Sequence, residues 1–160
     1  RKCNFIGKTS TFYTNKFDEM MDFYINKLGL KLKVLVRYKA YIDRDDRPEM
    51  QAIAKADPER IFNVYIEIAT GQFIELFPAT DKQKPHSEWN EYIGYSHYAL
   101  VVNDIKETYQ RFIDAGIKPD TGLSKGPSGT WQFWVHDPEN NKFEIMQYTK
   151  DSFQVLGHVD

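Results

Sequence analysis

The sequence predicts an α+β protein made of two related halves, each reading as a strand, a helix and then two or three further strands. An alternating segment followed by an amphipathic segment that ends in glycine occurs twice, over 9–30 and again over 97–117. Each half then closes on a β-prone segment with one carboxylate in its middle, Gln72-Phe73-Ile74-Glu75-Leu76-Phe77 and Lys142-Phe143-Glu144-Ile145-Met146-Gln147. With 160 residues the chain can bury one sizeable core, so a single domain over 1–160 is expected and a two-domain enzyme is not.

Taken in order, the first strand begins at Thr9. Its helix is expected to start at Asn15, with Asp18 three residues on, and to stop at Gly29, which supplies a left-handed residue. Phe17, Met20, Met21, Tyr24 and Leu28 fall on one stripe of that helix. Thr9 and His97 lie 88 residues apart but Glu75 and Glu144 only 69, so the first half is longer by 19 residues. The extra length falls between Arg37 and Ile61 and reads as a surface loop with a short helix around Glu49 to Ala56. Strands follow over 62–69 and 72–77, separated by the Thr70-Gly71 turn. Module one thus spans about 6–78, and a charged linker with Pro85 covers about 79–92.

Module two spans about 93–149, with a tail over 150–160. Asp104 and Glu107 have capping-box spacing, Ile105, Thr108, Phe112 and Ala115 share a stripe, and Gly116 ends the helix. Gly126-Pro127-Ser128-Gly129 reads as a mobile rim loop that could act as a lid. A strand over 131–136 leads into Asp137-Pro138-Glu139-Asn140-Asn141, a turn in which Asn140 or Asn141 takes the left-handed conformation.

Composition narrows the functional classes. A net charge of −2 gives no field to draw the chain to nucleic acid or an anionic membrane. The aromatic content of 15%, from 11 Phe, 10 Tyr and 3 Trp, suggests a thick core or an aromatic-lined cavity. The one cysteine, Cys3, can form neither an intrachain disulfide nor a thiolate zinc site, which fits a reducing cytoplasm. No apolar run approaches the length of a membrane span, and the first ten residues lack a signal-peptide core.

Strand parity selects the residues that can carry chemistry. Glu75 shares a face with Phe73 and Phe77, and Glu144 with Met146, while Ile74, Leu76, Phe143 and Ile145 point the other way, toward the helices. The repeat brings Thr9, Glu75, His97 and Glu144 to corresponding positions. Two carboxylates on inner faces need a partner, and Glu75, Glu144 and neutral His97 balance a divalent cation. Such a set suits Mn, Fe, Co, Ni or Zn with open water positions, as catalysis requires. Tyr13, Phe73, Phe77 and Met146 are expected to wall the pocket beside Thr9. Trp131 joins them from a strand whose alternation leaves open whether Trp131 or Trp134 faces inward. His136 reads as a turn residue, His86 as solvated, and His158 as part of a loose tail.

The order and duplication of Asp22-Phe23-Tyr24, Leu28-Gly29-Leu30, the Glu75 strand, Ser96-His97-Tyr98-Ala99-Leu100 and Asp137-to-Glu144 resemble the vicinal oxygen chelate superfamily, its glyoxalase I-like members above all. The resemblance covers roughly 6–149. It implies two βαβββ modules forming a cup-shaped mixed sheet with helices outside, commonly as a homodimer. The family's four metal positions would fall on Thr9, Glu75, His97 and Glu144. Thr9 departs from the usual His or Gln, and is expected to hold a metal-bound water instead. By the same resemblance Glu144 or Glu75 would be the catalytic base, and the extradiol dioxygenases, which need two His, are disfavoured.

The expected function is that of a metal-dependent lyase or isomerase of the glyoxalase I type, acting on a small oxygenated substrate chelated to the ion. The alternative is a metal-free protein that sequesters an aromatic ligand, as the bleomycin-resistance branch does; Thr9 and the ring content favour it. In either case the partner is a small molecule, not nucleic acid or membrane.

Overall fold

The computed structural model describes residues 3–160, which divide into two compact units, one ending at Lys84 and the other spanning Pro85–Asp160. In the first unit β1 (Thr9–Thr14) leads into the helix α1 (Phe17–Met21), which continues as a π-helical turn over Asp22–Lys27. Then come β2 (Lys31–Arg37), a 3-10 turn (Tyr38–Tyr41), α2 (Pro48–Ala56), β3 (Ile61–Ala69) and β4 (Gln72–Pro78). The second unit holds β5 (Tyr98–Val101), α3 (Ile105–Asp114), β6 (Ser124–Lys125), β7 (Trp131–His136), β8 (Lys142–Gln147) and a final turn of helix, α4 (Phe153–Leu156).

Each unit carries one four-stranded mixed sheet, ordered β1-β4-β3-β2 and β5-β8-β7-β6. The first strand of each module returns through a helix and so pairs in parallel, whereas the hairpin-linked strands pair antiparallel. The same frame recurs: Thr11 lies opposite Glu75 and Ala99 opposite Glu144. This α+β arrangement is the predicted one.

Alternation sorts the two faces of each sheet. Ile74, Leu76, Val64 and Ile66 in one unit, and Phe143, Ile145, Phe133 and Val135 in the other, are buried. The helices contribute Met20, Phe23 and Tyr24 in one case and Ile105 and Phe112 in the other, with the Tyr109 and Phe112 rings set edge-on to Phe133. The carboxylates occupy the opposite, half-buried faces.

The helix termini differ from one another. Asp104 accepts from the Glu107 amide at 3.0 Å and Gly116 follows with φ 80°, as predicted. In the first helix Gly29 takes φ 77° as expected, but Asn15 is not the cap. Lys16 holds that position with no side-chain cap, its amide bound to Thr14 Oγ1 at 2.9 Å. The extra residues of module one form the 3-10 turn and α2, which opens on Pro48 and covers the stretch expected to be helical, Glu49 to Ala56. Asn140, with φ 70°, is the left-handed residue of the β7–β8 turn.

The loop over 126–129 was expected to be mobile, yet its carbonyls are engaged. Gly129 O accepts from Thr149 Oγ1 at 2.8 Å and Ser128 O from the Phe153 amide at 2.8 Å, tying the loop to the start of α4. Among the described residues no helix is long and apolar enough to cross a membrane.

Candidate functional site

The two carboxylates stand at the same point of the repeat in opposite surroundings. In the first unit Glu75 is flanked by donors. Thr11 Oγ1 donates to Oε1 at 2.8 Å from β1, and Asn63 Nδ2 donates to Oε2 at 2.7 Å from β3. The Tyr65 hydroxyl, directly across the β3–β4 pair, also binds Glu75, and that bond with burial raises its pKa above the ordinary phenol value. All three donors are neutral. Asn63 is buried, and its Oδ1 is left without a partner. Thr9 lies opposite Phe73 on the same face but is exposed.

In the second unit the corresponding neighbours make no hydrogen bond to the carboxylate. Ala99 stands where Thr11 does, and Trp134 lies across from Glu144 where Tyr65 lies across from Glu75. Glu144, with only 14% of its side chain exposed, makes one polar contact among the described residues, to His97 Nε2 at 3.8 Å, which is beyond hydrogen-bond length. Burial therefore raises its pKa, and the neighbouring His97 pulls it part of the way back.

The His97 ring is held through its other nitrogen. Ser96 Oγ donates to Asn90 Oδ1 and stands 2.8 Å from His97 Nδ1, so the imidazole is anchored at Nδ1 and presents Nε2 to Glu144. An imidazole nitrogen and a carboxylate in that posture can share a proton or a cation. The Trp134 ring sits 4.6 Å from the His97 ring and the Trp89 ring 6.4 Å away, while Lys142 Nζ lies 5.1 Å above Trp89.

The remaining candidates separate by face and by unit. Phe73 and Phe77 share the Glu75 face, and Tyr13 stacks on Phe77 with ring centroids 5.2 Å apart. Met146 shares the Glu144 face. Trp131 does not: it pairs with Gln147, on the face of Phe133 and Ile145, so Trp134 is the tryptophan beside Glu144. His86 Nε2 meets Asn141 Oδ1 at 3.0 Å, His136 meets Asp120 at 2.9 Å, and His158 stacks on Phe153 and meets Asp160. Thr11, Asn63, Tyr65, Ser96 and Trp89 are participants that sequence reasoning missed.

The donor chemistry of His97 and Glu144 fits a divalent cation, with an under-satisfied carboxylate facing an imidazole Nε2 whose ring is anchored at Nδ1 by Ser96. Glu75 fits less well, since both of its oxygens already serve neutral donors. Among the described residues no three His, Cys, Asp or Glu side chains are grouped to hold a metal.

A paired module with this frame is found in known proteins. Residues 6–145 match the model of the Glyoxalase/Bleomycin resistance protein/Dioxygenase superfamily, and the chain belongs to that superfamily. Among solved structures it is similar to a lactoylglutathione lyase from Agrobacterium tumefaciens, with 17% identity, TM-score 0.56, and 87% of this chain and 90% of that one covered. It is also similar to a glyoxalase family protein from Enterococcus faecalis (19%, TM-score 0.58, 91% and 97% covered) and to TioX from Micromonospora sp. ML1 (15%, TM-score 0.56, 89% and 95% covered). At these identities the likeness is one of fold.

Proposed function

We propose that the chain is a lyase or isomerase of the glyoxalase I type that moves a proton on a small oxygenated substrate, with Glu144 as the base. The supporting observation is the Glu144 carboxylate, half-buried, without a hydrogen bond among the described residues, and facing Nε2 of His97 at 3.8 Å. A carboxylate with a raised pKa is better matched to abstracting a proton from carbon next to a carbonyl, and to returning it, than one at its ordinary value. A divalent ion held by His97 and Glu144 would supply positive charge for adjacent substrate oxygens. Ser96 anchors the imidazole at Nδ1 and the Trp134 ring packs against it, which fixes the ring beside Glu144. In this reading the protein works as a homodimer in the cytoplasm, as expected from the resemblance and the single cysteine.

Elemental analysis after reconstitution with Zn, Ni, Co, Mn or Fe tests the proposal. About one ion per chain is expected, falling in His97→Ala and Glu144→Gln, and Glu75→Gln tells whether Glu75 joins the donor set. Metal below about 0.1 per chain, where a resident ion demands near-stoichiometric loading, would sink it.

A second reading has its own support. Thr9 is a weak donor, and Glu75 is held by Thr11, Asn63 and Tyr65 without a cation, which favours a metal-free protein that sequesters a ligand. That reading requires ligand binding that survives a chelator.

A further inference from the structure

The residues that make module one longer than module two build a cavity. Between β6 and β7 the chain needs only residues 126–130, whereas between β2 and β3 it runs over 38–60 and forms the 3-10 turn and α2. Met50 and Ile53 of α2 and Tyr38 of the 3-10 turn wall a cavity of about 530 Å³, of the size used for small-molecule ligands.

The β-sheet supplies the aromatic side. The β2–β3 register passes over Phe62, a bulge, and the Phe62 ring meets Phe77 edge-on at 5.2 Å, Tyr38 at 5.4 Å and Tyr41 at 4.9 Å. Tyr13 stacks against the same Phe77. These are faces and edges suited to a flat ring.

The charges at the mouth are unequal in their engagement. Lys82 and Glu49 satisfy each other at 3.3 Å. Arg60 lies 5.6 Å from the Tyr38 ring centroid and pairs with no carboxylate among the described residues, so its planar fork of N–H donors is available beside the aromatic wall. Asp81, the other unpaired charge of the lining, belongs to the exposed stretch after β4.

We propose that this cavity of module one binds a small planar aromatic carboxylate, its ring among Phe62, Phe77 and Met50 and its carboxylate on Arg60. The site lies wholly within the first unit, includes the expected pocket walls Tyr13 and Phe77, and rests on the ligand-sequestering reading rather than on the chemistry of His97 and Glu144. Titration calorimetry on the full chain with 1-naphthoate, its neutral amide and 1-naphthylmethylammonium tests it. Binding of the carboxylate is expected, weaker by about tenfold for the amide and for the Arg60→Gln variant, in keeping with the loss of a charge-assisted bond. Ile53→Trp, which fills the cavity, should abolish binding with the thermal transition retained, and His97→Ala should leave it unchanged. Equal affinity in Arg60→Gln, an ammonium ligand that binds as well as the carboxylate, or no binding of 1-naphthoate at millimolar concentration would each overturn the proposal.

Discussion

Replacing Asp137 by alanine should unfold the second unit several kcal/mol more easily. The Asp137 side chain closes the β7–β8 turn: Oδ1 accepts from the amides of Glu139 at 3.0 Å and Asn141 at 2.9 Å, and Oδ2 accepts from Asn141 Nδ2 at 2.8 Å. Asp137 and Asn141 are 1% and 7% exposed, so water cannot replace the carboxylate at either Asn141 donor, whereas the Glu139 amide is only half-buried. Two stranded buried donors at about 1–3 kcal/mol each give about 4 kcal/mol. For a chain of this length that corresponds to a fall of about 10 °C in Tm. Asp137→Asn keeps the Oδ1 acceptor but sets one NH2 against another, so it should cost about half as much. Trp89, Trp131 and Trp134 all lie in the second unit, which makes tryptophan fluorescence in a urea titration a reporter of that unit alone. A loss under about 1 kcal/mol for Asp137→Ala, or an Asp137→Asn variant as unstable as the alanine, would refute the hydrogen-bond count, since one stranded donor alone should cost that much.

Burial raises the pKa of Glu144 in the folded state, so the native protein binds that proton more tightly than the unfolded chain does. The contribution to stability is therefore fully present below the unfolded pKa and is lost as pH rises through the folded one. Glu144→Gln should gain stability over the wild type as pH rises from about 4.5, near the ordinary carboxylate value, through the folded-state pKa; an unchanged or shrinking Tm gap would contradict this. Ala99→Thr places a hydroxyl opposite Glu144 as Thr11 is placed opposite Glu75, and should lower the Glu144 pKa. A carboxyl carbon NMR titration reads that shift, and an unmoved or raised midpoint would count against the correspondence of the modules.

How much was legible in the sequence depends on whether a local signal survives the hairpins. The repeat was legible because the parallel pairs are in the same register, and with it the corresponding placement of Thr9 and His97 and of the two glutamates. Gly29, Gly116 and Asn140 were legible because few residues accept a positive φ. The partners of Glu75 were not. Counting back from the Ala69–Gln72 pair would put Ile66 opposite Glu75, but the ladder skips Ile68, and the one-residue shift brings Tyr65 there instead. The second bulge redirects Phe62 in the same way. Trp134 was within reach, since a turn closed between Asp137 and Asn141 pairs His136 with Lys142 and hence Trp134 with Glu144.

The contrast between the modules is one of hydrogen bonding around the same carboxylate position. A carboxylate on the half-buried face of a sheet must find hydrogen bonds, a cation or a proton. Module one meets the demand with Thr11, Asn63 and Tyr65, so Glu75 is a satisfied member of a neutral network. Module two has Ala99 and Trp134 at the positions of Thr11 and Tyr65, so the demand on Glu144 stays open toward His97. On the proposed reading, the role of Glu144 as base would rest on that unmet demand. The longer loop of module one is free of this constraint. It borders the Tyr13–Phe77 end of the same sheet, where the inserted residues enclose apolar volume and leave Arg60 without an ionic partner among the described residues.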